Sequence, residues 1–98
     1  MTLSKDVNGN ALTISISGRL DTTTAPELET EIKNSIEGVQ DLVIDIKDLD
    51  YISSAGLRVL LSAQKIMNKQ GKMTIKNVCD EIKEIFEVTG FSDILTVV

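Results

Sequence analysis

The sequence predicts a single α/β domain over residues 1–98: a mixed, mainly parallel sheet of four to five strands with helices chiefly on one face. Three observations predict it. Ala11 to Gly18 alternates strictly, with Leu12, Ile14 and Ile16 to one side and Thr13, Ser15 and Ser17 to the other, the pattern of a half-buried strand. Leu42-Val43-Ile44 is a short, largely β-branched apolar run, and Leu57, Leu60, Leu61 and Met67 follow it at helical spacing. Beyond an opening hairpin, strand and helix patterns alternate to the end of the chain. Such crossovers lay their strands parallel with right-handed connections.

The elements follow in order. Residues 2–6 form a short first strand, and the Asn8-Gly9 pair supplies the tight turn of a hairpin. Gly18-Arg19-Leu20-Asp21 then leaves the second strand. Thr24 and Glu27 stand at capping-box spacing, and Pro26 suits a first helical turn, whose N–H groups have no intrahelical acceptor. Leu28, Ile32 and Ile36 line one face of that helix, and Gly38 ends it. Asp41 to Ile46 is the central strand. A short acidic loop carries the chain from there to a long helix that begins at Ser53-Ser54, reaches about Lys69 and stops at Gln70-Gly71. Lys72 to Lys76 alternates as a strand. Cys79 or Asp80 opens a third helix with Ile82, Ile85 and Phe86 on its face; Gly90 closes it and Phe91 packs back over its end. Ile94 to Val98 is a final short strand or a docked tail. The polar sides of Thr13-Ser15-Ser17 and Thr74-Lys76 favour one open sheet face.

A hydrophobic content of 42% suffices for one core, and with aromatics at 3% that core must be aliphatic. The net charge of −5 argues against nucleic acid or an anionic membrane as partner. Cys79 is the single cysteine, so no internal disulfide forms and the expected location is cytoplasmic. The absence of histidine removes Ser-His and Cys-His catalysis and the commonest zinc ligand. No apolar run reaches membrane length, and Met1 to Lys5 lacks a signal-peptide core.

The paired serines at the start of the long helix carry the main chemical signal. A serine there caps free N–H groups, and those N–H groups with the helix dipole also tolerate a phosphate. Asp21, Asp45, Asp48 and Asp50 are the competing site, a metal or phosphoryl-transfer cluster. Only Asp21 and Asp45 are expected near strand ends, and no glycine-rich phosphate loop accompanies them. The Gly18–Thr24 segment and the serine segment are both strand-to-helix junctions. Parallel crossovers bring them to the same end of the sheet.

Tyr51-Ile52-Ser53-Ser54-Ala55-Gly56-Leu57 resembles the signature of STAS domains, the family of bacterial anti-sigma factor antagonists, and Gly18-Arg19-Leu20-Asp21 and Val88-Thr89-Gly90-Phe91 extend the match along the chain. The resemblance assigns Ser54 to the phosphorylated position. Ser53, standing where many members carry Asp, is the rival acceptor. What it implies is a non-enzymatic phospho-switch. The unphosphorylated form binds an anti-sigma factor that is also a serine kinase and so frees a sigma factor. Phosphorylation ends the binding, and a metal-dependent Ser/Thr phosphatase restores it. The protein itself needs no cofactor, since ATP and Mg²⁺ belong to the kinase. The expected partner surface comprises Arg19, Asp21, Thr22, Thr23, Ser53, Ser54, Gly56, Leu57 and Arg58. The alternatives are a STAS scaffold or transporter-complex subunit whose serine is only a cap, and a small enzyme or phosphoacceptor using the aspartates.

Overall fold

In the computed structural model, which describes Met1–Val98, the sheet has four strands in the order β1-β2-β3-β4. Strand β1 (Thr2–Asn8) is antiparallel to β2 (Ala11–Leu20), while β2, β3 (Asp41–Ile52) and β4 (Lys72–Lys76) run parallel. The hairpin closes through Gly9-Asn10, with Asn8 paired to Ala11. Gly9 takes φ +62, the left-handed conformation that a side chain would resist.

Of the three helices, α1 (Ala25–Ser35) and α2 (Ser54–Gln70) make the crossovers, α3 (Asp80–Thr89) follows β4, and all three cover one face. On that face Leu12, Ile14 and Ile16 of β2 lie beside Leu42, Ile44 and Ile46 of β3 and Met73 and Ile75 of β4, all nearly inaccessible. Leu28 and Ile32 of α1, Leu60 and Met67 of α2, and Ile82 and Phe86 of α3 join them in one apolar cluster. The opposite face of β2 and β4, with Thr13, Ser15, Ser17, Thr74 and Lys76, is only half-buried. Burial of one set and solvation of the other fixes the register, because a one-residue slip would exchange them.

The expected acidic loop after Ile46 is not a loop. Strand β3 continues to Ile52, because β2 also runs past Gly18 to Leu20 and pairs with it throughout. Two bulges make this possible: Ile46 and Lys47 together oppose Ile16, and Asp50 is left unpaired between Leu49 and Tyr51. Leu49 and Ile52 thereby reach the core.

Smaller corrections follow from tertiary contacts. Thr24 is the N-cap of α1 but makes no side-chain cap bond, so the capping box with Glu27 does not form. Helix α1 stops at Ser35 with Ile36 as C-cap, and Gly38 falls in the turn beyond it. The C-terminal segment lies between the two expectations. Ile75 N–H donates to Thr96 O at 2.8 Å and Val98 N–H to Ile75 O at 2.9 Å, a single parallel bridge at the edge of β4.

Candidate functional site

The ends of β2 and β3 lie side by side, with Arg19 opposite Tyr51 and Leu20 opposite Ile52. Ser53 N–H donates to Leu20 O at 2.8 Å and ties the start of α2 to the end of β2. The two strand-to-helix junctions therefore form one surface.

On the β2 side, Asp21 organises the turn into α1. Its Oδ1 accepts the Thr23 N–H at 3.0 Å and the Thr24 N–H at 3.2 Å, a turn built from an aspartate side chain. The Thr24 hydroxyl accepts the Asp21 N–H at 2.9 Å and donates to Arg19 O at 2.8 Å. The Thr24 N–H bond, helped by those of Thr23 and the Thr24 hydroxyl and by the Arg19 charge, outweighs desolvation and holds the Asp21 carboxyl below its ordinary 3.8. Arg19 Nε stands 3.7 Å from Asp21 Oδ2, and the guanidinium also lies over the Tyr51 ring. Thr22 and Thr23 are exposed at the tip.

On the β3 side the two serines separate into different roles. Ser53 is the N-cap of α2, in extended conformation (φ −95, ψ 174), and its Oγ accepts the Gly56 N–H at 3.4 Å. Ser54 is the first helical residue; it is exposed, and its hydroxyl takes no part in the side-chain hydrogen bonds of this junction.

Gly56 and Leu57, expected on the partner surface, are buried instead. A Cβ on Gly56 would come within 2.7 Å of Leu20 Cγ and 2.9 Å of Ile52 Cγ1, so a glycine is what lets α2 start so close to the two strand ends. Leu57 is 5% exposed and anchors the first turn in the core. Arg58 is exposed and belongs to none of the ion pairs, which join Lys5 to Glu31, Arg19 to Asp21 and Lys33 to Glu29. Together with Thr22, Pro26, Ala55 and Val59 it lines a cavity of about 420 Å³ between α1 and α2.

The aspartates do not converge. Asp45 is not at a strand end, because β3 continues to Ile52; its Oδ1 accepts Asn77 Nδ2 and the Lys47 N–H, each at 3.0 Å. The Asn77 bond above all, with the Lys47 N–H and the Lys76 and Lys47 charges, overcomes desolvation and lowers its pKa from 3.8. Asp48 and Asp50 are exposed on β3 rather than in a turn, and no group of three or more Cys, Asp or Glu side chains is placed to hold a metal ion. No helix is long and apolar enough to cross a membrane.

Sequence reasoning missed Tyr51 and Thr24 as parts of the site. The only available signal for Tyr51 was its place beside the serines, since its contact with Arg19 depends on the bulged register of β2 and β3.

Comparisons with known proteins bear on the family and the fold. The STAS domain model matches residues 2–98. The anti-sigma-B factor antagonist of Bacillus subtilis (strain 168) is 32% identical over 100 residues, covering 99% of this chain and 92% of that protein. Among solved structures, the anti-sigma factor antagonist SpoIIAA in its unphosphorylated form matches with TM-score 0.79 at 16% identity, over 99% of this chain and 87% of its own. The Bacillus cell fate determinant SpoIIAA in the phosphorylated form matches with TM-score 0.78, also at 16% identity, over 99% and 91%. These two are likenesses of fold. The four-stranded sheet, the three helices and a family match running from residue 2 to residue 98 lead to one conclusion: the chain belongs to the STAS domain family.

Proposed function

We propose that the protein is an anti-sigma factor antagonist switched by phosphorylation of Ser54. In its unphosphorylated state it binds an anti-sigma factor that is also a serine kinase, and that binding releases a sigma factor. The kinase transfers a phosphoryl group from ATP to the Ser54 hydroxyl, which ends the binding, and a Ser/Thr phosphatase removes it. The protein supplies the acceptor and the docking surface, without catalysis of its own. The observation that carries this reading is the division of labour between the serines. Ser53 spends its hydroxyl on the helix cap, while the Ser54 hydroxyl stands exposed one residue further on.

A phosphate on Ser54 adds about −1.5 to −2 charges at pH 7 and is compatible with the first turn of a helix. The fold need not change. A partner surface complementary to a neutral hydroxyl, however, meets a charged group in a contact it has desolvated, and affinity falls by repulsion. The docking surface comprises Arg19, Asp21, Thr22, Thr23 and Arg58 around Ser54, with Gly56 and Leu57 supporting it from beneath.

The test pairs the purified protein with its cognate kinase and ATP, followed by peptide mass spectrometry and a pull-down. Wild type and Ser53→Ala are expected to take up phosphate, and Ser54→Ala to bind the kinase without taking it up. Ser54→Asp, Thr23→Glu and Arg58→Glu are expected to weaken binding. Phosphate on Ser54→Ala but not on Ser53→Ala would transfer the switch to Ser53. No uptake by wild type would leave Ser54 a plain first-turn residue.

A further inference from the structure

Strand β3 has 12 residues and β4 has 5, and their pairing ends at Asp45 opposite Lys76. The reason is local. Asn77, at φ 60, turns the chain away from β3, and the Asp45 carboxylate takes both its amide and the Lys47 N–H. From there to Ile52, β3 has a strand neighbour only on the β2 side. The backbone of Asp48 to Tyr51 forms no bond to β4, to α3 or to the C-terminal segment. Across from this free edge stands the first turn of α3, whose N-cap Cys79 makes no side-chain cap bond. The groove between them has a volume of about 310 Å³ and is lined by Lys47, Leu49, Asp50, Cys79, Asp80 and Glu81. Leu49 is buried in its floor, and the others are exposed along its rim.

An unpaired strand edge is a template for another strand, and proteins guard such edges with charge. Here the guard is predominantly negative. Asp50, Asp80 and Glu81 rim the groove against the single cation Lys47, with Asp48 beside them on β3. A second copy of the chain would bring Asp80, Glu81 and most of the β3 carboxylates against the same set, which disfavours self-pairing at this edge. We propose that the free half-edge of β3 docks an extended basic segment of a partner protein, which adds as a strand beside Asp48–Tyr51. Main-chain hydrogen bonds supply the attachment, and the carboxylates select lysine or arginine side chains. Since β3 leads directly into Ser53 and Ser54, the docked segment lies beside the α2 junction. Its binding does not require phosphorylation, so it stands or falls apart from the Ser54 switch.

The experiment uses the unphosphorylated, ¹⁵N-labelled full chain. The probe is a peptide of about ten residues, strand length, alternating Lys and Thr. Its controls are the Glu–Thr counterpart and Lys–Thr peptides methylated on alternate backbone nitrogens, in either register. Saturable amide shifts confined to Lys47–Tyr51 and Cys79–Ile82 are expected with the Lys–Thr peptide. The Glu–Thr peptide should give none, and at least one methylated register should fail. Asp50→Lys combined with Glu81→Lys, both exposed, should keep the amide spectrum of a folded protein and weaken binding at least about tenfold. Shifts spread over all surface carboxylates, equal binding by both methylated peptides, equal binding by the acidic peptide, or no shifts at all would each overturn the proposal.

Discussion

Arg19 and Tyr51 face each other across the β2–β3 ladder, with the guanidinium carbon 4.3 Å from the ring centroid. The same guanidinium reaches the Asp21 carboxylate, so one side chain joins both halves of the site. An exposed contact of this kind contributes about 0.5–1 kcal/mol. A double-mutant cycle with Arg19→Ala and Tyr51→Ala, followed by urea unfolding, should return a coupling of that size. Additive effects would mean that the pair positions neither residue.

Gly56→Ala should destabilise the protein by about 1–3 kcal/mol, the usual cost of overpacking. Alanine is otherwise the better helix former by about 1 kcal/mol, so the sign of the result is informative. Leu20 and Ile52 are 0% and 2% exposed and have nowhere to retreat. A stabilised variant in urea unfolding would show that α2 can lift away from the strand ends at little cost.

The two serines should separate in stability as well as in phosphorylation. Ser53→Ala removes the cap of α2 and should cost about 0.5–2 kcal/mol, toward the low end because its bond to Gly56 N–H is 3.4 Å long. Ser54→Ala should leave the unfolding midpoint nearly unchanged. Equal losses would mean that both hydroxyls serve the helix.

Acid should act on Asp45 in a defined direction. Its folded-state pKa lies below 3.8, so its contribution to stability is complete above the unfolded value and disappears as pH falls through the folded one. Asn77→Ala removes the main cause and should raise the Asp45 pKa toward 3.8, as followed by carboxyl ¹³C titration. The acid slope of stability below that pH should flatten accordingly. An unmoved titration would assign the shift to Lys47 and Lys76.

Arg58 follows Ser54 by one helical turn, within reach of a phosphate placed there. In protein carrying phosphoserine at position 54, Arg58 should favour the dianion and lower the second phosphate pKa from about 6. Arg58→Gln should raise it by a few tenths of a unit, about the effect expected of an exposed charge pair. Superimposable ³¹P titrations of the two proteins would leave Arg58 to the partner surface alone.

Much of this protein is determined by short-range pattern. The alternation of Leu12, Ile14 and Ile16 marks β2, the spacing of Leu57, Leu60 and Met67 marks α2, and Ser53-Ser54 marks where that helix begins. These signals survive without tertiary structure because the repeat of a strand or helix is set by neighbours two to four residues away. The second half of β3 shows where such reasoning stops. Its buried residues, Ile46, Leu49 and Ile52, fall three apart, which matches no strand period and suggests a loop. They belong to a strand because two bulges place extra residues in β3 opposite β2, and only pairing with β2 can create those bulges. The same long-range pairing brings Arg19 to Tyr51, presses Gly56 against Leu20, and carries β3 beyond β4. Each of these depends on residues more than thirty positions apart in the chain, and local periodicity contains no information about them.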